Sequence, residues 1–484
     1  MGVVLRQSLA NTAITYVGFA LGAANTLLLY TRFMSEAYYG LVGVLLSTAA
    51  LLMPLMSFGI PNTLVKYYAG YRERKDLQGF LTLICFLPLL IIVPLGVFSL
   101  LANEAIGAFL ARENAIVSDY VWHIFAIGLC MAYFEIFFAW SKVCLKSSLG
   151  TFLKEVFVRA GVSILLLLLY FGMLTETAFL NWLVLFYGLR ALSMAYYALR
   201  LQPLKLSKRL PEGFTQILKY SALIILGGSI SVILLEIDRF MINQFIRIEN
   251  VAYYTVAVFI ATVIIVPFRS MNQITYPLTA TLLHSGDWKG LRELYKRSSL
   301  SLLIVSTLIF LGVLLNLEDL YRLLPENYRG GIGVVFLLGL VRLFDSFLGI
   351  NTAILYNSRY YGTLLVMGVA LALLTIGLNA LLIPADGIMG AAMATFLSVT
   401  LYNMAKLVFV QWKFGLSPWS ASTLKVVLIG AATWGLFAWV DLPFHPVVNM
   451  LLKSIGIILV YLAGMLGFGV SEDLTQLLRR WFKK

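Results

Sequence analysis

The sequence predicts an all-α polytopic membrane protein of about 14 transmembrane helices, two six-helix lobes related by an internal repeat plus a C-terminal helix pair. Three observations predict it. The 484 residues are 61% hydrophobic and 12% charged, with a mean hydropathy of +0.90, whereas soluble chains carry roughly a quarter charged residues. Runs of about twenty apolar residues recur along the whole length, each long enough to cross a bilayer as a helix. They stay apolar throughout, unlike the alternating strands of a membrane barrel. Finally, the chain restates itself. Arg32-Phe33-Met34 followed by Ala37-Tyr38-Tyr39 returns as Arg239-Phe240-Met241 followed by Ala252-Tyr253-Tyr254, and Pro54 and Pro61 return as Pro267 and Pro277. A hydrophobic unit doubled in the same order is the mark of a transporter built from two similar lobes.

The first lobe, residues 1–205, holds predicted spans near 11–31, 40–62, 79–101, 119–141, 152–172 and 178–199. Its opening stretch has no small-residue cleavage site and reads as an uncleaved first span. The segment Leu201 to Phe214, with Pro203, Pro211 and three basic residues, joins the lobes. The second lobe, residues 206–412, holds spans near 217–237, 252–277, 298–316, 331–355, 362–383 and 387–410. Residues 413–484 supply a last pair near 423–440 and 447–469 and a basic, amphipathic tail, LTQLLRRWFKK, suited to the inner membrane surface.

Charge placement orients these spans. One set of loops holds most of the basic residues, among them Arg72, Arg74, Lys75, Lys142, Lys154, Lys205, Lys208, Lys289, Arg292, Lys406 and Lys413. The opposite set holds only Arg32, Arg112, Arg239, Arg247, Arg322 and Arg329. So lopsided a split is the positive-inside pattern and places both termini in the cytoplasm. It also accounts for the net charge of +13 without a nucleic-acid groove. Cys85, Cys130 and Cys144 fall in or beside apolar spans, and His123, His284 and His445 are scattered, so neither disulfide, metal nor cofactor is indicated. No phosphate-binding glycine loop and no stretch long enough for a soluble domain occurs, which argues against an ATPase or an enzyme.

A charge in mid-bilayer costs roughly 2.5–3.5 kcal/mol on insertion scales and should have a reason. Candidates are Glu135, Arg159, Arg190, Arg269, Arg342, Asp345 and Lys453. Arg342 and Asp345, three apart, suit a local pair; Glu135 has no partner in its own span, and Arg159 or Arg190 could supply one. Five cations against two acids predict a net-positive cavity, with Arg159, Arg190, Arg269 and Arg342 as candidate contacts for an anionic headgroup. Glu135 and Asp345 are charge partners or carriers of a coupling proton. Glu236, Asp238 and Arg239, with Arg32, either close a helix end or form an outer gate.

The segment Arg32 to Phe58, with Tyr38-Tyr39-Gly40 and the closing Phe58-Gly59-Ile60, resembles the opening of the bacterial polysaccharide (O-antigen repeat-unit) flippases. Ile237 to Met241 with Ala252-Tyr253-Tyr254 resembles the start of their second lobe, and Ile383 to Ala392 their loop into the twelfth helix. The resemblance implies a MATE-like multidrug/oligosaccharidyl-lipid/polysaccharide exporter fold. It also implies a lipid-linked oligosaccharide substrate, carried on undecaprenyl diphosphate from the inner to the outer face of the bacterial cytoplasmic membrane for polysaccharide or lipopolysaccharide biosynthesis. Coupling to H+ or Na+, contact with membrane lipids and association with polysaccharide-assembly proteins follow from the same likeness. A cation-coupled multidrug or metabolite extruder is the alternative, although a surplus of buried arginine disfavours cationic cargo. A membrane-embedded polysaccharide polymerase is a third reading, which a long outward loop with paired carboxylates would mark.

Overall fold

In a computed structural model, residues 2–72 and 76–471 are described. Arg74, Lys75 and the basic tail lie outside them. The described residues are mostly helical, with no strand among them. Among them, ten helices are long and apolar enough to cross a membrane, and eleven if Phe214–Ile230 and Val232–Phe245, bent by 57°, form one span. A helix overlies each predicted interval, but several fall short of the criterion alone or are merged with a neighbour, as at Ala421–Phe437 and Tyr361–Phe414.

Helix starts and breaks follow local chemistry. Ser35 accepts a hydrogen bond from the Tyr38 amide at 3.4 Å and, with Glu36 in the first turn, starts Glu36–Met56. That helix carries Pro54 and ends at Phe58 (φ 51°) and Gly59 (φ 65°), after which Pro61 sits in the first turn of Ile60–Tyr71. The second copy breaks as well: Glu249–Thr262 passes through a 3-10 turn, Val263–Ile265, and Pro267 opens Val266–Ser285. Thr175 and Asp287 cap Glu176–Leu201 and Trp288–Leu315 in the same manner as Ser35.

Tyr361–Phe414 would be about 80 Å long if straight, against a hydrocarbon core of about 30 Å. It is not straight. Gly387, at φ 58° and ψ −134°, occupies a region open essentially to glycine alone. Thr375 Oγ1 then donates to Ser398 Oγ at 2.9 Å, two residues that a continuous helix would hold about 35 Å apart. The chain therefore doubles back at Gly387 into two antiparallel helices.

Packing divides the chain into two compact units, Met1–Thr255 with Asn379–Gly387, and Val256–Leu378 with Ile388–Lys484. In the first, Ile60, Leu64, Phe80, Trp140, Ala198 and Ile217 share one core cluster. In the second, Leu303, Leu311, Phe347, Val426, Ile457 and Tyr461 do. The last two helices are thus built into that unit, and the Tyr461 hydroxyl donates to the Ile304 carbonyl at 2.9 Å. Outward faces stay apolar and exposed, as at Leu373, Leu381, Val408 and Leu459. An aqueous surface would not tolerate so continuous an apolar exterior; a bilayer requires it.

Candidate functional site

The first unit contains a cavity of about 300 Å³. Its walls come from the broken Glu36–Tyr71 segment (Met53, Pro54, Ser57, Gly59, Pro61, Asn62), from Glu135, Ala139 and Lys142 on Val121–Val143, from Lys154, and from Ile224, Ile225, Gly228 and Val232. The break that shapes it is held on both sides. Ser57 Oγ donates to the Pro54 carbonyl at 3.1 Å, and Thr63 Oγ1 lies 2.8 Å from Ser221 Oγ. A Cβ at Gly59 would collide with the Ser221 carbonyl, so glycine is needed there for close approach as well as for φ.

The polar end of the cavity is cationic. Lys154 Nζ donates to Glu135 Oε1 at 2.6 Å. Lys142 Nζ lies 3.8 Å from the centre of the Phe138 ring and is also within the field of Glu135. Arg190 packs behind them, its guanidinium carbon 4.2 Å from the Phe134 ring centre and 4.7 Å from that of Tyr187. It is buried, its Nε has no hydrogen-bond partner, and no ion pair to it occurs among the described residues. Glu135 therefore faces three cations. A π-turn at Leu153–Phe157 rotates the Lys154 stretch relative to the regular helix that follows, Val158–Tyr170; such turns recur at functional positions in helices. The arrangement can take up an anionic group of phosphate size. Among the described residues, no group of three or more His, Cys, Asp or Glu is placed to hold a metal ion.

Several expected partnerships are replaced. Glu135 pairs with Lys154, a residue the sequence placed in a loop, and with neither Arg159 nor Arg190. Arg159 instead bonds Glu155 one turn away, at 2.9 Å. Arg342 and Asp345 do pair, at 3.5 Å, in the second unit, and Asn403 Nδ2 also donates to Asp345 at 2.7 Å. Arg269 is exposed on Val266–Ser285, and Arg32 is exposed at the end of Tyr30–Phe33. Glu236 and Arg239 form an i,i+3 pair at 2.6 Å, but within Phe214–Phe245 rather than at a helix end, because that helix runs on to Phe245. Asp238 departs from the gate expectation in one respect: it is a buried carboxylate that accepts from the Tyr254 hydroxyl and, at 2.8 Å, from Asn379 Nδ2.

Other polar residues make contacts that the sequence does not disclose. Lys406, counted among loop cations, is 5% exposed and donates to Thr352 Oγ1 at 3.2 Å. Lys453 reaches Asp319, which is 1% exposed, at 3.1 Å, and Asn449 and Arg322 complete the shell of that acid. Asn114 donates to the Asn243 and Ile246 carbonyls at 2.8 and 3.0 Å and accepts from the Ile248 amide at 2.9 Å. Asn243 answers with a bond to the Leu110 carbonyl at 2.9 Å. This clasp ties the turn after Asn103–Leu110 to the end of Phe214–Phe245. Nothing local in the sequence marks it: Asn114 follows Arg112 and Glu113, and Asn243 precedes Gln244.

Residues 4–283 match the model of a family described as polysaccharide biosynthesis protein. None of the curated protein sequences matches the chain. Among solved structures, the lipid II flippase MurJ in its inward closed conformation aligns with a TM-score of 0.67 at 14% identity, over 94% of this chain and 98% of that one. An inward-facing multidrug resistance MATE family transporter of the MOP superfamily aligns with a TM-score of 0.62 at 13% identity, over 84% and 98%. A MOP superfamily transporter from Pyrococcus furiosus, described as having a binding pocket of reversed polarity, aligns at 0.57 and 14%, over 85% and 95%. At these identities the likeness establishes the fold.

Proposed function

The chain belongs to the polysaccharide biosynthesis protein family, and from that premise we propose that it is a flippase for an undecaprenyl-diphosphate-linked oligosaccharide. It moves this lipid from the inner to the outer face of the bacterial cytoplasmic membrane by alternating access. The observation that carries the reading is the cavity in which Lys142 and Lys154 outnumber Glu135, with Arg190 behind them. A diphosphate brings at least two negative charges and several acceptor oxygens, and lysine ammonium groups with three donors each suit it. Glu135 holds Lys154 in place until the headgroup arrives and competes with it afterwards, which keeps the bound state shallow enough for release.

The broken helix at Pro54 to Pro61 and its counterpart at Val263 to Pro267 supply bends about which two lobes could rock. Fourteen spans in two six-helix lobes plus a terminal pair, with both termini cytoplasmic, are part of the same proposal. So is the placing of Lys142, Lys154, Lys289 and Lys413 at the inner face. Support comes from the doubled-back helix at Gly387 and from the one-sided distribution of lysine and arginine.

Coupling to H+ or Na+ needs a carboxylate that is not neutralised. Glu135 and Asp345 are paired with cations. Asp238 is a further buried carboxylate, contacted by the Tyr254 hydroxyl and the Asn379 amide; the Asn379 Oδ1 beside it has no hydrogen-bond partner.

The test is a flipping assay in vesicles reconstituted with the protein and a fluorescent lipid-linked oligosaccharide, scored by the fraction reaching the opposite leaflet. Protein-dependent movement of that lipid, with none of a cationic dye, is expected. Dye extrusion without lipid movement would replace this reading with the multidrug one.

A further inference from the structure

The second unit carries a larger pocket, about 780 Å³, that the transport reading does not use. It lies where helix ends converge: the end of Val266–Ser285, the start of Trp288–Leu315, the turn before Tyr361, and the end of Tyr361–Phe414. Arg359, Lys413 and His284 line it together with Trp288, Tyr360 and Phe414, and no acidic side chain does.

Its cations rest on rings rather than on acids. Arg359 Nη2 donates to the Tyr360 hydroxyl at 2.9 Å, and Lys413 Nζ sits 3.4 Å from the Trp412 ring centre. Among the described residues neither makes an ion pair. The nearest acids in sequence are engaged elsewhere: Asp287 accepts from the Gly290 amide at 2.8 Å, and Glu293 pairs with Arg297 at 3.4 Å. A cation over an aromatic face keeps its hydrogen-bond donors available to a ligand.

Depth and size decide what kind of ligand. Trp288, Trp412 and Trp419, all exposed, mark this end of the unit as the level of the lipid headgroups. A pocket of this volume exceeds what a free phosphate ion fills and lies within the usual range for ligands of lipid-headgroup size. Ala280 and Leu283 give it an apolar wall on which a glycerol backbone can lie.

We propose that this pocket binds the phosphate headgroup of an anionic glycerophospholipid, with Arg359 and Lys413 as its contacts. Bound there, the lipid bridges the turn at Asn357–Tyr360 to the helix end at Lys413, and so joins the two ends of the doubled-back Tyr361–Phe414 segment.

The experiment uses the full chain in a neutral detergent, titrated with phosphatidylglycerol, with phosphatidylcholine or with inorganic phosphate, and bound lipid counted by native mass spectrometry. Phosphatidylglycerol should bind and phosphatidylcholine should not. R359Q/K413Q should weaken phosphatidylglycerol binding roughly thirty-fold, about fivefold for each basic residue at a membrane surface, while K413R keeps most of it. Should the double variant not fold, R359Q and K413Q alone should each show about a fivefold loss. Equal retention of phosphatidylglycerol by the variants, equal binding of phosphatidylcholine, or displacement of the lipid by millimolar inorganic phosphate would each overturn the assignment. No transport substrate is present in this measurement, so its outcome is separate from that of the flipping assay.

Discussion

Changing the charges around Glu135 separates an anion site from a cation site by sign. Lys154 and Glu135 are 44% and 21% exposed, so their ion pair is screened and contributes no more than about 1 kcal/mol to stability. Lys154→Met should therefore leave the fold intact. For a bound diphosphate the same ammonium matters more. Two unit charges about 4 Å apart attract by roughly 4 kcal/mol at an effective dielectric of 20. Glu135 already offsets part of that attraction, and water entering the cavity screens more of it. A net loss of about 1–2 kcal/mol follows, or roughly five- to thirty-fold in Kd. Lys142→Met should act likewise, and the double variant should lose more than either. Glu135→Gln should do the opposite, tightening binding several-fold while slowing flipping, because a headgroup held more firmly in the ground state leaves more slowly. The assay is titration of the detergent-solubilised protein with lipid-linked oligosaccharide, paired with flipping in vesicles. If Glu135→Gln weakens binding as much as Lys154→Met does, the carboxylate is a ligand of the cargo and the diphosphate argument fails.

Gly387→Ala forces a side chain into φ 58°, ψ −134° and should cost about 1–3 kcal/mol, read as a lowered unfolding midpoint in detergent. In a background without Cys85, Cys130 and Cys144, cysteines at Thr375 and Ser398 should cross-link under mild oxidation, because their hydroxyls are 2.9 Å apart; a straight helix would keep them separate. Lys453→Met leaves Asp319, 1% exposed, without its buried cation and should destabilise by about 3–5 kcal/mol. Arg322→Ala, at the half-exposed rim of the same acid, should cost no more than about 1 kcal/mol. Asn114→Ala removes the bonds of the clasp to the Asn243 and Ile246 carbonyls and from the Ile248 amide. It should cost at least about 1–3 kcal/mol by stranding buried backbone groups, seen as faster hydrogen exchange at the Ile248 amide.

What the sequence disclosed depended on range. Apolar runs gave helices because a span needs only local composition. The pairs Arg342–Asp345 and Glu236–Arg239 were legible because three residues on a helix put two side chains on one face. The partner of Glu135 was not: Lys154 lies across a chain reversal, 19 residues on, and its stem carries the ammonium from a helix start into the cavity. Lys406 looked like another inner-loop cation, yet the hairpin at Gly387 buries it beside Thr352, 54 residues away. The pairing of Asp319 with Lys453, 134 residues apart, had no local signal at all. Neither helical spacing nor charge asymmetry carries such contacts, which arise only once the helices have packed.

On the proposed reading, the same distinction adds two lysines to the candidate substrate contacts. An arginine within a helix and within four residues of an acid is neutralised before any ligand arrives, and Arg159 with Glu155 and Arg342 with Asp345 both fit that description. A guanidinium flanked by two rings, as Arg190 is by Phe134 and Tyr187, contributes its field but turns few donors outward. Lys142 and Lys154 differ because they share one acid between them, so that a single carboxylate faces more positive charge than it can cancel. On the proposed reading, that excess, in a cavity walled by a broken helix, would let a charged headgroup bind while Glu135 competes with it for Lys154. On the same reading, the role of Glu135 would be to keep the cavity from holding a diphosphate too firmly to pass it on.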